Sequence, residues 1–309
     1  MSSGTKLVFF GTGPVAAKSL ELLSKNFQIE AVVTKPKPAH HKGNFPVLDV
    51  ASRLGLKVLA VTDKKSLSEL FKSKPVNSRL GVVIDFGIII TQDVIDYFEL
   101  GIVNSHFSLL PRWRGADPIS FAILAGDNKT GVSLMIIDAG LDTGKLITQK
   151  GLKLDGNETI TELTAKLIDL SNLLLTEYLP KYIIGDIKPH NQPHPARATH
   201  SRRLSKEDGL IDWSKPALQI ERQIRAFLEW PKSHAILAGT DVIITKAYVV
   251  PSQSPKSKPG EVEVIKQASA ISVNTGNGTL WIEKLKPAGK KEMTAESFLA
   301  GYGQQLQNR

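Results

Sequence analysis

Along its first 150 residues the chain alternates short apolar runs with stretches of helical spacing, and this alternation narrows the fold more than any other feature. Leu7–Phe10 is apolar and leads into Gly11-Thr-Gly-Pro14, then into helical spacing near Val15–Lys25. Ile29–Val33 reads as a second strand, Val47–Leu54 as a helix and Lys57–Leu59 as a short strand. Leu80–Ile84 is apolar and β-branched, as a buried central strand is, and Gly101–Asn104 and Val132–Ile137 follow. Strands separated by helices predict a parallel sheet covered on both faces, a Rossmann-like doubly wound α/β domain. Ligands of such sheets bind at the carboxyl ends of the strands. A long helical pattern over 159–184 closes this domain, placed at 1–185.

Beyond it the pattern changes twice. Residues 186–204 hold three prolines and the scattered His190, His194 and His200, with no periodicity, and read as a linker. The formal net charge is +9, and this segment concentrates part of it: Lys188, Arg197, Arg202 and Arg203 stand against Asp186 alone. A basic stretch of this kind points to a polyanionic partner, and a solvated linker accounts for it equally well. In 205–309, Ala217–Phe227 has helical spacing, with Arg222 and Arg225 beside its apolar residues. Asp241–Val250, Gly260–Ile265, Ser269–Asn274 and Thr279–Leu285 are short and β-rich. These runs predict a small antiparallel, OB-like β-barrel domain.

Several classes drop out. The chain has no cysteine, so disulfides, thiolate nucleophiles and thiolate metal sites are absent. No apolar run approaches the ~20 residues that cross a bilayer, and Leu7–Phe10 is too short for the core of a signal peptide. A cytoplasmic protein with no membrane partner is expected.

Gly11-Thr-Gly-Pro-Val-Ala16 matches the glycine fingerprint of dinucleotide binding, after a strand and before a helix. That fingerprint also needs an acidic residue at the end of the second strand. Here the strand ends Val33-Thr-Lys-Pro36, and Glu30 lies at its beginning. A tight turn into a helix, with Pro14 at the first helical position, is the favoured reading.

The residues that carry chemistry lie further on. Asn104 and His106 are two apart at the end of an apolar strand, which puts both side chains on one face. The Val132–Ile137 strand runs into Asp138-Ala-Gly-Leu-Asp-Thr-Gly144, whose glycines allow Asp142 to return toward the same sheet edge. An amide can hold a developing oxyanion, an imidazole can stabilise that charge or move a proton, and a carboxylate can fix the imidazole. Together they suit acyl transfer to an acceptor that brings its own amine. Taken singly, Asn104 and His106 are better read as structural and Asp142 can be a turn aspartate; their joint placement at two strand ends favours the functional reading.

Asn104-Ser-His106, Ser108-Leu-Leu-Pro111 and Leu141-Asp-Thr-Gly144 resemble the folate-dependent formyltransferase family. Ser108-Leu-Leu-Pro-Arg-Trp-Arg-Gly-Ala-Asp-Pro-Ile119 is similar to the members that act on methionyl-tRNA. Thr199–Leu204, Ile211-Asp-Trp213, Ile224-Arg-Ala-Phe227, Trp230-Pro231 and Pro287-Ala-Gly-Lys-Lys291 are similar to that group's carboxyl domain. The resemblance implies formyl transfer from N10-formyltetrahydrofolate to the amino group of methionyl initiator tRNA in translation initiation. It implies Asn104, His106 and Asp142 as the catalytic residues and Ser108, Leu109, Leu110 and Pro111 as lining the folate site. It places Asp85–Ile90 beside the pterin and gives the carboxyl domain to tRNA. No metal is expected, and a monomer is. Formyltransferases of aminosugar nucleotides or glycinamide ribonucleotide are the alternative, as is an RNA-binding protein without catalysis. One departure stands out. The loop after the second strand, Lys35-Pro-Lys-Pro-Ala-His-His-Lys-Gly-Asn44, is shorter than the family's and lacks its arginines, leaving Lys37, His40, His41 and Lys42 to approach phosphates.

Overall fold

A computed structural model describes residues 6–37, 43–250, 258–265 and 270–307. In chain order the elements are β1 (Lys6–Phe10), α1 (Pro14–Leu23), β2 (Gln28–Thr34), α2 (Pro46–Arg53), β3 (Val58–Ala60), α3 (Lys64–Lys72), β4 (Gly81–Val83) and α4 (Gln92–Tyr97). Then come β5 (Ile102–His106), β6 (Arg114–Gly115), α5 (Pro118–Ala125), β7 (Lys129–Ile136), β8 (Leu146–Lys153), α6 (Ile160–Ile183), β9 (His200–Ser201) and α7 (Ala217–Ala226). The chain ends in β10 (His234–Leu237), β11 (Thr240–Val250), β12 (Val262–Ile265), β13 (Ala270–Asn274), β14 (Thr279–Pro287), β15 (Met293–Thr294) and α8 (Ala295–Gln307). Two compact units result. One comprises Met1–Pro118, Lys129–Lys153 and Thr164–Ser201; the other comprises Ile119–Asn128, Leu154–Leu163 and Arg202–Arg309.

The first unit is built on a seven-stranded sheet in the order β3-β2-β1-β4-β5-β7-β8. β1 is central, and its four apolar residues are buried because helices cover both faces. The ring of Phe10 meets those of Phe71, Phe86 and Phe98 at 5.6 to 5.9 Å, tying β1 to α3 and to the segments after β4 and α4. β1 to β5 are parallel, as the alternating pattern predicts. The sheet then turns mixed. β7 pairs antiparallel with β5, and β8 antiparallel with β7. No helix separates β7 from β8, and a short connection between paired strands forces them antiparallel. β8 escapes the apolar pattern because it is an edge strand, half-exposed and carrying Lys150 and Lys153.

The antiparallel direction corrects one sequence expectation. Ile136 stands opposite Val103, so loop 138–144 leaves beside the beginning of β5, not its end. It must fold back along β5 to deliver Asp142.

The second unit is a curled antiparallel half-barrel in the order β10-β11-β14-β13-β12, with β15 paired to β14. The four β-rich runs read from the sequence become β11 to β14; Ser269 of the third lies outside the described residues. Among the described residues β10 and β12 are the path's two ends. α7 packs Ile220 and Ile224, and α8 packs Phe298, into one core with Val242, Ile244, Leu280 and Ile282. Of these elements, α8 and β10 carried no separate sequence expectation.

Phe10 is fully buried in the first unit. Phe10→Ala removes a ring with three aromatic neighbours and should cost about 3–5 kcal/mol. Urea unfolding followed by aromatic circular dichroism would show a midpoint shifted well below that of the unaltered protein. An unchanged midpoint would contradict this account of the core.

Candidate active site

β5 ends with Asn104 and His106 on one face, and the returning loop brings Asp142 against both. Asn104 Nδ2 donates to Asp142 Oδ1 at 3.3 Å. His106 Nδ1 lies 3.6 Å from Asp142 Oδ2. The same Oδ2 accepts the backbone N–H of Gly115 at 2.7 Å. The side chain of His106 is 6 % exposed and that of Asp142 12 %, so the pair is largely shielded from water. An amide, an imidazole and a carboxylate thus converge as the sequence pattern anticipated, although by a different path of the chain.

The orientation of His106 comes from elsewhere. Its Nε2 sits 2.8 Å from the backbone carbonyl of Trp113, and a carbonyl only accepts, so Nε2 carries the hydrogen. Asp142, at 3.6 Å, is a nearby negative charge and not a hydrogen-bond partner of Nδ1. The Nδ1 atom of neutral His106 is therefore an acceptor that faces the carboxylate.

Segment 186–204 braces the site. Gln192 is buried, and its Nε2 donates to the carbonyls of Asp142 at 2.7 Å and Gly144 at 3.0 Å. Its Oε1 accepts from Arg114 Nη2 at 2.7 Å. β9 pairs with β6, and Thr199 accepts the N–H of Trp113 on its side-chain oxygen and that of Arg114 on its carbonyl. Gln192 thereby joins the two loops that supply Asp142 and the Trp113 carbonyl. Nothing in the sequence singles it out, because a glutamine among prolines carries no periodic or motif signal.

Ser108 to Pro111 lie beside this group in two roles. Ser108 and Leu110 are buried. The Ser133 hydroxyl donates to the Ser108 carbonyl and accepts the Leu110 N–H, and Gln149 donates to the Leu110 carbonyl. Leu109 and Pro111 are partly open, and with Leu110, Arg112, Lys129, Gln149 and Arg197 they help line a cleft of 570 Å³. Of loop 35–44, Lys37 places its ammonium 5.8 Å from the Phe45 ring. His40, His41 and Lys42 lie outside the described residues. Among the described residues no three His, Asp or Glu side chains are grouped to hold a metal ion, and no helix is long and apolar enough to cross a membrane.

The glycine-rich turn after β1 is filled by the protein itself. A Cβ on Gly13 would stand 2.1 Å from Asp85 Oδ2. Burial pushes the Asp85 carboxyl up to about 6, and the charge of Asp117 adds to the shift; the Ala16 N–H and Lys35 oppose it. The residue as a whole is open to solvent, so this desolvation comes from protein packed around the carboxylate and not from a sealed interior. Glu30, the one acid on β2, is spent on the N–H groups of Asn77 and Ser78 and on the Ser78 hydroxyl.

Residues 5–179 match the formyl transferase family model, and residues 203–303 match the model of the formyl transferase C-terminal domain. The chain belongs to the formyltransferase family. This formyltransferase is 37 % identical to a methionyl-tRNA formyltransferase of Roseiflexus castenholzii over 305 residues, 96 % of each chain. It is 35 % identical to the methionyl-tRNA formyltransferase of Myxococcus xanthus, covering 97 % of this chain and 96 % of that one. In fold it resembles an N-formyltransferase from Helicobacter canadensis, solved with folinic acid and dTDP-3-aminofucose, at a TM-score of 0.67 and 20 % identity over 94 % of this chain and 100 % of that one. It also resembles HypX from Aquifex aeolicus, solved with tetrahydrofolic acid, at a TM-score of 0.65 and 17 % identity over 97 % of this chain and 48 % of that one.

Two outcomes follow for this formyltransferase. A Cβ on Gly144 would lie 1.7 Å from the Ile136 carbonyl, so Gly144→Ala must move the loop that carries Asp142. A displacement near 1 Å costs about 100-fold in rate, and formyl-transfer assays should show it while the circular dichroism spectrum is retained. For Asp85, a folded-state value near 6 lies above the unfolded value of about 3.9, so the ionised form is penalised on folding. The penalty is absent below about pH 4 and complete above pH 6. Asp85→Asn should therefore raise the melting temperature at pH 8 relative to the unaltered protein, with the difference fading toward pH 4. A difference that grew on acidification would reverse the assignment.

Proposed function

We propose that this formyltransferase moves the formyl group of N10-formyltetrahydrofolate to the α-amino group of methionyl initiator tRNA, the step that prepares the initiator for translation in the cytoplasm. The observation that carries this reading is the convergence of Asn104, His106 and Asp142, in a chain whose near-full-length relatives are methionyl-tRNA formyltransferases. The folds it resembles have been solved with folates, which supports a folate-type co-substrate.

In this mechanism the amine attacks the formyl carbon and a tetrahedral oxyanion forms. Asn104 Nδ2 and protonated His106 stabilise that charge. The C–N10 bond then breaks, the electron pair returns to N10, and the proton lost by the amine passes to N10 by way of His106 or water. Asp142 lies beside the imidazole and holds Asn104 in place. No enzyme nucleophile is needed. An α-amino group titrates near pH ~8, so a useful fraction is neutral at physiological pH.

Ser108, Leu109, Leu110 and Pro111 form the wall for the folate, with Leu109 and Pro111 offering surface and Ser108 and Leu110 holding its shape. The catalytic domain is taken as 1–185, the basic linker as 186–204 and the tRNA-binding domain as 205–309. The protein acts as a monomer and uses no metal.

The deciding assay is transfer of labelled formyl from N10-formyltetrahydrofolate to methionyl initiator tRNA, with uncharged tRNA and free methionine as controls. Label on charged tRNA alone supports the proposal. No label with folded protein turns attention to aminosugar nucleotides and glycinamide ribonucleotide. Asn104→Ala should lower turnover by roughly 10²–10³-fold and His106→Ala by roughly 10²–10⁴-fold, with melting temperatures little changed. Near-normal turnover in both would remove them from the mechanism. Affinity for tRNA should fall steeply between 50 and 200 mM salt, by about 10³-fold or more if six phosphates are contacted. A flat response in a filter-binding titration would contradict the electrostatic contribution of the linker.

A further inference from the structure

The cleft of 570 Å³ beside the loop after β5 lies over the β7–β8 hairpin at the edge of the sheet. Its lining is divided in character. Leu109 and Pro111 give it an apolar wall, and Arg112, Lys129 and Arg197 supply cations. Among the described residues no carboxylate lines it. A recess walled by apolar groups and charged with one sign concentrates its field on an anion.

The hairpin is shaped for this. β7 and β8 set Gly131 opposite Gly151 and Lys129 opposite Lys153. A Cβ on Gly131 would stand 2.8 Å from Leu109 Cδ2, and one on Gly151 2.2 Å from Lys129 Cε. The two bare positions let Leu109 and the stem of Lys129 lie flat on the strands. Like charges directly opposed, as Lys129 and Lys153 are, weaken a strand pair. Among the described residues neither lysine has an ion-pair partner, and neither has Arg197. Segment 186–204 brings Arg197 to the same place. His190 exchanges backbone hydrogen bonds with Leu146 of β8 at 2.8 and 2.9 Å, and the Arg197 N–H donates to the His194 carbonyl at 2.8 Å. Arg112 holds its guanidinium 4.3 Å from the centre of the Trp113 ring.

The order of strands sets the direction in which a ligand would run. β5 carries Asn104 and His106, and β7 and β8 follow it in the sheet on the side away from β4. Two strand spacings, about 10 Å, separate the reacting group from β8. In N10-formyltetrahydrofolate, N10 joins the pterin side to a p-aminobenzoyl group, and that group ends in glutamate. With the pterin on the β4 side and N10 at Asn104, the aromatic ring passes along Leu109 and Pro111 and the glutamate reaches the cations. Folates are commonly extended by further glutamates joined through their γ-carboxyls, and each adds one free carboxylate. A phosphodiester backbone, the other polyanion of the reaction, has no apolar body to set against Leu109 and Pro111.

We propose that this cleft holds the γ-linked oligoglutamate tail of the folate donor, with Lys129 and Arg197 pairing with its carboxylates. The proposal rests on the reading that the donor is a folate, and adds which folates are preferred.

The test needs no tRNA. Calorimetric titration compares tetrahydrofolate carrying one glutamate with tetrahydrofolate carrying three, in the unaltered protein and in the double variant Lys129→Gln with Arg197→Gln. The unaltered protein should bind the triglutamate about tenfold more tightly, the gain expected when each of two added carboxylates meets a partly exposed cation. Added salt should shrink that ratio, and the double variant should bring it close to one. Both substituted side chains are exposed, and the comparison of the two ligands on the unaltered protein decides even without the variant. Equal affinities there would overturn the proposal and leave the folate reading standing. A preference that persisted in the double variant would overturn it too, and if that variant had also lost affinity for tRNA the cleft would belong to the nucleic acid. Binding of neither folate would remove the folate donor itself, and the proposal with it.

Discussion

The Asp142 carboxylate is the interaction on which the rest of the site depends. One oxygen accepts from Asn104, and the other accepts the Gly115 N–H and faces His106. It therefore joins the end of β5 and β6, which follow closely in sequence, to the distant loop between β7 and β8. A partly buried carboxylate is stable only when hydrogen-bonded or paired, and here the bonds that satisfy it are the bonds that assemble the site. Asp142 itself adopts φ +51°, held by Gln192 through its carbonyl. The segment between the two families of strands thus acts as a brace for the chemistry and is not a plain spacer.

Two carboxylates of this unit are treated in opposite ways. Asp142 is surrounded by donors and placed beside an imidazole that can take a proton. Asp85 has the Ala16 N–H for support but is crowded by protein and by Asp117, which together keep its carboxyl well above the ordinary range. The first is placed to support charge that develops in a reaction; the second is penalised when it ionises. Both roles follow from what surrounds each group and not from the residue type.

Much of the architecture is legible in the sequence. Apolar runs at Leu7–Phe10, Ile29–Val33 and Leu80–Ile84 become β1, β2 and β4 because strands buried on both faces must be apolar throughout. β8 was not legible, since an edge strand with lysines lacks that pattern. The direction of β7 was not legible either: periodicity reports which face is buried and is blind to the direction in which a strand runs. For the same reason the return path of loop 138–144 could be read only from the paired strands. Asn104 and His106 were readable as a pair because two-residue spacing places them on one face of a strand.

The sequence by itself determined the α/β alternation, the β-rich second half, the absence of thiol chemistry and the amide, imidazole and carboxylate that form the candidate site. Tertiary structure decided how they work together. The Trp113 carbonyl orients His106, the Gly115 N–H anchors Asp142, and Gln192 locks the loops that carry them. Two of those three groups belong to the backbone, which every residue possesses, so no choice of side chain announces them. Asp85 entering the turn at Gly13 is likewise a contact between segments about seventy residues apart. Local sequence fixes what a strand or turn can be; which distant groups meet depends on the pairing of strands, and that is settled only when the whole sheet closes around its core.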